Sequence, residues 1–115
     1  MINKGGRLNL YEFENLGGIS NLVHFVTTRS GGVSISPFDS LNLGLHTADN
    51  PEHVLANRAC LSVETGIPID KFLYCSQVHS GDVKIIDSDS VADGILGAFP
   101  QTDATVTSLQ ASALW

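Results

Sequence analysis

Asn50-Pro51-Glu52-His53-Val54-Leu55-Ala56-Asn57-Arg58-Ala59-Cys60-Leu61-Ser62-Val63-Glu64-Thr65-Gly66 is the stretch on which the fold class turns. Asn50 can cap free N–H groups, Pro51 suits the first helical turn, and Glu52 complements the helix dipole. Gly66 can take the left-handed conformation that closes a helix. The segment predicts one helix from Pro51 to about Thr65. Val54, Leu55, Ala59, Leu61 and Ser62 make its apolar side, and Glu52, His53 and Glu64 face water.

Working outward, Phe72 to Val78 predicts the best strand, with Phe72, Tyr74, Ser76 and Val78 on one face and Leu73, Cys75, Gln77 and His79 on the other. Ser80-Gly81-Asp82 predicts a tight turn and Val83 to Asp87 a hairpin partner. Asp87 to Gln101 is acidic and predicts a surface loop; Asp103 to Thr107 predicts a short strand. Before the helix, Arg7 to Phe13 alternates polar and apolar residues, with Leu8 and Leu10 facing a core. Gly17-Gly18 breaks the chain, and Leu22 to Thr28 is rich in β-formers. Arg29 to Asn50 has no period, and a long irregular stretch inside a compact domain is usually functional. One main helix among about five strands predicts an α+β fold with a mixed β-sheet.

Length, charge and composition narrow the function classes. The 115 residues fit one domain, 1–115, with a modest core. A hydrophobic share of 43% against 16% charged decides against disorder. The formal net charge is −6, with 6 Lys+Arg spread along the chain, so a basic footprint for nucleic acid or anionic membranes is absent. No run has the length of a transmembrane helix, and Met1 to Leu10 lacks a signal-peptide core. The expected location is cytoplasmic, with Cys60 and Cys75 as free thiols.

Three stretches carry chemistry-bearing residues. In Thr28-Arg29-Ser30-Gly31-Gly32, a strand end delivers hydroxyls, a guanidinium and flexible backbone N–H groups, a set that suits phosphate or carboxylate. The alternative is a Gly-Gly turn with a surface arginine. In Ser40-Leu41-Asn42-Leu43-Gly44-Leu45-His46, Asn42 can orient a substrate or hold the loop, and His46 can be a ligand or a loop histidine. In Gln77-Val78-His79, the histidine at a strand end can bind metal or move protons. His24 reads as structural and His53 as solvated. The 4 histidines lack metal-ligand spacing, and one histidine does not make a zinc site. No nucleophile elbow or dinucleotide fingerprint occurs. The acidic residues from Asp87 to Asp93 read as a solvated loop, and nothing in the spacing of Asp103 marks a catalytic pair.

Taken together, five motifs resemble one family. Phe25 to Ser34, Ser40 to His46, Asp49 to Pro51 with Asn57-Arg58 inside the helix, Gln77 to His79, and Thr102 to Thr107 follow the order of the YfiH-like laccase-domain family. Its members are described both as multicopper polyphenol oxidoreductases and as purine nucleoside phosphorylases. The resemblance implies that the chain is the N-terminal half of a larger YfiH-like α+β domain. It implies phosphorolysis of adenosine, inosine and guanosine, with purine nucleoside and phosphate as partners. Adenosine deamination and methylthioadenosine cleavage are further activities of the family. It also implies zinc or copper, held by the histidine of Q-V-H with a cysteine of T-A-D-C and a histidine of H-A-G-W. Of these three, His79 alone is matched here; neither Cys60 nor Cys75 stands in a T-A-D-C context.

His79 is therefore the candidate acid/base and metal-binding residue. Arg29, Ser30, Gly31, Gly32, Asn42, His46 and Gln77 are the candidate substrate contacts. Ser80 stands where the family commonly has glycine. The expectation for this chain alone is weak metal binding, no appreciable turnover, and self-association through unpaired sheet edges. Competing readings are a peptidoglycan-precursor editing hydrolase or a copper-dependent phenol oxidase on the same scaffold, and a non-catalytic association fragment.

Overall fold

Helix α1, Pro51–Thr65, forms where the capping signals put it. The Asn50 side chain accepts the Glu52 N–H at 3.0 Å. At the other end Gly66, at φ +72°, donates its N–H to Ser62 O at 2.9 Å. The apolar side is narrower than expected. Val54, Asn57 and Leu61 are buried, spaced i, i+3, i+7, while Leu55 is 49% exposed and Ala59 is exposed. A polar residue thus occupies the middle of the buried stripe, and the neighbours of Asn57 explain why.

The computed structural model describes residues 1–3, 6–90, 98–109 and 113–114. The chain divides into two units, Met1–Gly66 and Ile67–Trp115. In the first, β1 (Ile2–Asn3), β2 (Leu10–Glu12) and β3 (Val26–Thr27) form an antiparallel sheet in the order β1-β2-β3. Both expected strands exist but are shorter than their sequence pattern. Leu8 and Leu10 are buried as the alternation requires, whereas Leu22 and Val23 lie exposed before β3 begins. His24 is therefore outside the strand; its Nε2 lies 3.0 Å from the Phe13 N–H, and its ring stacks on Phe13. Leu8, Leu10, Leu41, Leu43, Val54 and Leu61 are the buried apolar residues of this unit. Between β3 and α1 there is no regular element, as the lack of period from Arg29 to Asn50 predicts.

The second unit departs from the sequence reading. The expected hairpin between Phe72–Val78 and Val83–Asp87 does not form. β5 (Val83–Ile86) runs parallel to β6 (Ala104–Thr107), with Val83 opposite Ala104 and Ile86 opposite Thr107. β4 (Phe72–Leu73) pairs in parallel with β7 (Ala113–Leu114). Parallel neighbours need a crossover of a dozen or more residues, and the segment between β5 and β6 supplies it.

That segment is more than a surface loop. Phe99 is 1% exposed and forms one core with Leu73 and Ile86, with Leu109 packed against it. Phe99 N–H donates to Tyr74 O at 2.9 Å, and Ser76 N–H donates to Phe99 O at 2.8 Å. These bonds take the backbone groups the hairpin would have used. Asp87 closes a turn by accepting the Asp89 and Ser90 N–H groups. The remainder of the expected acidic loop, 91–97, lies outside the described residues. Phe72, Leu73 and Tyr74 are all buried, so the two-faced alternation expected there does not hold. The architecture is α+β: among the described residues there are one α-helix, two short 3-10 helices (Glu14–Leu16 and Ile69–Lys71) and three small sheets, one antiparallel and two parallel, rather than a single mixed sheet.

Candidate functional site

In the first unit the irregular segment 29–50 is organised by side chains. Asn57 is fully buried on α1. Its Oδ1 accepts the Val33 N–H at 2.7 Å, and its Nδ2 donates to Ser34 Oγ at 2.9 Å and to Asn42 O at 2.8 Å. Ser34 Oγ donates in turn to Asp49 Oδ2 at 2.5 Å, and the Asn42 amide reaches the same oxygen at 3.2 Å. Ser34 and Asp49 are both buried. A buried polar group left unpaired costs about 1–3 kcal/mol, which is why such a network is closed on all sides. The Ser34 hydroxyl, with the Asn42 amide and the Asn50 N–H, holds the Asp49 carboxyl below its ordinary range against the opposing effect of burial.

This network fixes what the candidate residues do. Asn42 donates to Thr47 Oγ1 at 2.8 Å and accepts the Gly44 N–H at 3.1 Å, so its amide ties its own loop. His46 is exposed, and its ring lies against Gly44; a Cβ added at Gly44 would come within 2.8 Å of His46 Cε1. Gly31 has φ +98°, open to glycine, and a Cβ there would press on Leu8. At Gly32 a Cβ would collide with the backbone of Ser40 and Leu41 and with Asn57 Oδ1. Close approach of neighbouring groups at both positions, and positive φ at Gly31, favour glycine there.

The N–H groups of Gly32, Val33 and Ser34 donate to Ser40 Oγ, Asn57 Oδ1 and Ser40 O, inside the loop. Ser30 N–H lies 3.4 Å from Thr28 Oγ1. Arg29 is the group that faces outward. Its side chain is 73% exposed, lies 3.3 Å from Asp39 Oδ2, and donates through Nε to Asp39 O at 3.0 Å. Its own carbonyl accepts the Ser40 and Leu41 N–H groups. The guanidinium is thereby anchored at its base and exposed at its tip.

In the second unit the strand pattern has ended before Gln77, so Gln77 and His79 do not share a strand face. Both are exposed. His79 has φ +63°, the left-handed region, which costs a residue with a Cβ about 1–2 kcal/mol. Asp103 accounts for it. Its Oδ1 accepts the N–H groups of Val78 at 3.0 Å and His79 at 2.7 Å. Its Oδ2 accepts the Ser80 N–H at 2.9 Å and the Ser80 hydroxyl at 2.5 Å. Ser80 Oγ also lies 2.7 Å from Asp82 Oδ2.

Successive N–H groups converging on one anion form a nest, here filled by the protein's own carboxylate. The Ser80 hydroxyl first, then the backbone N–H groups, lower the Asp103 carboxyl to about 2. The spacing of Asp103 in the sequence marks no role for it; the signal available is its place in the Thr102 to Thr107 motif. Beside this loop lies an open cavity of about 400 Å3, lined by Asp82, Val83, Lys84, Pro100, Gln101 and Thr102.

Burial pushes the Cys75 thiol up, so it is protonated at neutral pH and not a poised nucleophile. Cys60 and Cys75 are free thiols. Among the described residues, no three His, Cys, Asp or Glu side chains converge to hold a metal. His79 by itself does not supply the three or four protein ligands that a zinc or copper centre needs. No described helix is long and apolar enough to cross a membrane.

Against known proteins, residues 23–115 match the family profile described as multi-copper polyphenol oxidoreductase laccase, a span containing Arg29, His79 and Asp103. A purine nucleoside phosphorylase of Corynebacterium glutamicum is 47% identical over 88 residues, covering 76% of this chain and 35% of that protein. The crystal structure of YlmD from Geobacillus stearothermophilus matches with a TM-score of 0.75 at 32% identity, over 83% of this chain and 36% of that one. A Neisseria meningitidis structure matches with a TM-score of 0.71 at 32% identity, over 95% of this chain and 40% of that one. The chain thus spans well under half the length of the relatives it matches.

Proposed function

The chain belongs to the multi-copper polyphenol oxidoreductase laccase family, whose members here include YfiH and YlmD, and on that premise we propose that it carries part of a purine nucleoside phosphorylase site. On this reading residues 1–115 are part of one larger laccase-type domain. The observation that carries the proposal is the family match across 23–115, which spans both the outward guanidinium of Arg29 and the exposed, backbone-locked His79. Relatives sharing this stretch are named purine nucleoside phosphorylase.

Phosphorolysis needs a cation for phosphate, an acid to assist the departing purine, and polar groups for the ribose. In the first unit, taken by itself, Arg29 is the candidate for the cation; its exposed tip can form a bidentate contact to phosphate. In the second unit, taken by itself, His79 is the candidate acid and Gln77 an exposed polar group; His46 is an exposed polar group of the first unit. Asn42 and Gly32 act by shaping the loop that bears Arg29. The cavity next to the His79 loop has a volume within the range of small-molecule pockets.

The decisive experiment titrates the purified chain with inosine and inorganic phosphate at millimolar concentration, following backbone amides by NMR and free hypoxanthine by chromatography. The expected result is perturbation at residues 77–80 and at Arg29, with no appreciable hypoxanthine release. Silence toward inosine and phosphate, with perturbation by a peptidoglycan precursor or a phenol, overturns the nucleoside reading. Robust hypoxanthine release overturns the expectation that the chain alone is inactive.

Self-association is favoured by a specific observation. Val83, Ile85 and Val106 are 61%, 74% and 51% exposed on the β5–β6 pair, with exposed Ala104 beside them. Parallel strands are normally covered on both faces. Sedimentation of the purified chain is expected to show species larger than the monomer, and a single monomeric species refutes this.

A further inference from the structure

We propose that Asp103 is a positioning residue for His79, its carboxylate holding residue 79 in the left-handed backbone region and so fixing where the imidazole stands. The inference rests on the reading of His79 as the acid/base group. Three successive N–H groups, from Val78, His79 and Ser80, end on the two oxygens of one carboxylate. The triplet reaches that convergence through positive φ, and His79 is where it turns. Histidine gains nothing from that conformation, which glycine would adopt freely.

The carboxylate is itself held. Asp103 N–H donates to Asp82 O at 3.0 Å, and Ala104 N–H donates to the same oxygen at 3.2 Å, at the point where β6 begins. Ser80 Oγ lies within hydrogen-bond distance of both Asp82 and Asp103. A strand end therefore carries the carboxylate, the carboxylate fixes the triplet, and the triplet presents His79. The imidazole takes no part in these bonds; among the described residues no hydrogen bond or ion pair reaches it. Its backbone is fixed and its ring left open to a reactant, the arrangement a proton-transfer residue needs. A left-handed histidine held by a remote carboxylate is the kind of local irregularity that accompanies a functional constraint.

The test uses the full chain with Asp103→Asn, His79→Gly and the double variant. Asparagine keeps the shape but turns a donor toward the Ser80 N–H. If Asp103 enforces positive φ at residue 79, Asp103→Asn lowers Tm by several degrees in the wild-type background and by less than half as much when residue 79 is glycine. Equal losses in the two backgrounds overturn the proposal. A signature that a general structural role would not move is the order of the residue 79 amide. Its order parameter is expected to fall from about 0.85 to below about 0.6 in Asp103→Asn, with helix α1 unchanged; an unchanged value overturns the proposal.

Should Asp103→Asn not fold, the double variant is expected to fold and melt close to His79→Gly, and a double variant that also fails to fold overturns it. Where the wild type turns over inosine, Asp103→Asn is expected to lower kcat more than tenfold with KM within twofold, and the reverse split counts against positioning. Where the wild type has no turnover, the first two measurements decide alone, so loss of the phosphorylase reading is not mistaken for loss of this one.

Discussion

Both units hold an irregular, polar stretch of backbone with side-chain oxygens, but one does so in its interior and the other at its surface. In residues 1–66 the segment 29–50 is tied by Asn57, Ser34 and Asp49, all buried. In residues 67–115 the segment 78–80 is tied by Asp103, next to exposed residues. A buried network is expensive to break, because every partner stranded by a mutation has lost water as well. A surface nest is cheaper to break, because water can replace what is lost. The first arrangement therefore builds the unit, and the second displays a side chain.

The largest expected effect that would break this contrast is Gly32→Ala. Its Cβ would meet the Ser40 and Leu41 backbone and Asn57 together, and these cannot all move. Loss of cooperative unfolding in thermal denaturation is expected; a folded variant with unchanged Tm would mean the loop is looser than described. Next, Asn57→Leu removes the acceptor of the Val33 N–H and the donor to Asn42 O and Ser34 Oγ, the last keeping its bond to Asp49, at a cost on the order of 3 kcal/mol by urea denaturation.

Acid sharpens the comparison. The Asp103 carboxyl is lowered to about 2 when folded, from an ordinary value near 4. A lowered carboxyl contributes stability that is fully present above its unfolded value and is lost as pH falls through the folded one. Amide exchange protection of residues 78–80 is therefore expected to hold above pH ~4 and to vanish toward pH 2. Protection that disappears between neutral pH and pH ~5 would contradict the nest.

Asn50→Ala removes the helix cap and is expected to cost about 1 kcal/mol, read as a lower denaturation midpoint. The smallest effect on stability is Arg29→Ala. The Arg29–Asp39 pair is exposed, so the change is expected to stay within about 0.5 kcal/mol, while phosphate-induced amide shifts in the 29–33 loop disappear. Persistence of those shifts would remove Arg29 from the proposed phosphate contact.

The sequence made local features legible. Asn50, Pro51 and Gly66 located α1 because capping depends on residues a few positions apart. Leu8 and Leu10 faced inward because alternation along a strand is local as well. The absence of period from Arg29 to Asn50 correctly marked an irregular segment, and the ordered motifs identified the family. What could not be read was each group's distant partner. Nothing near Asn57 says that Val33 and Asn42 will meet it, so the apolar pattern locates Val54 and Leu61 in the buried stripe but puts Leu55 and Ala59 there in place of Asn57. Nothing near Asp103 says that it will accept the N–H groups of residues 78–80.

The hairpin failed for the same reason. Val83–Ile86 looks identical whether it pairs backward with 72–78 or in parallel with Ala104–Thr107. By itself, then, the sequence determined the helix, its ends, the α+β class and the family. Tertiary structure alone decided strand partners, the burial of Phe99, and the carboxylate that sets the backbone of His79. The reason is physical: propensity, capping and periodicity act over a few residues, whereas pairing and burial are settled by groups far apart in sequence competing for the same N–H, the same oxygen and the same space.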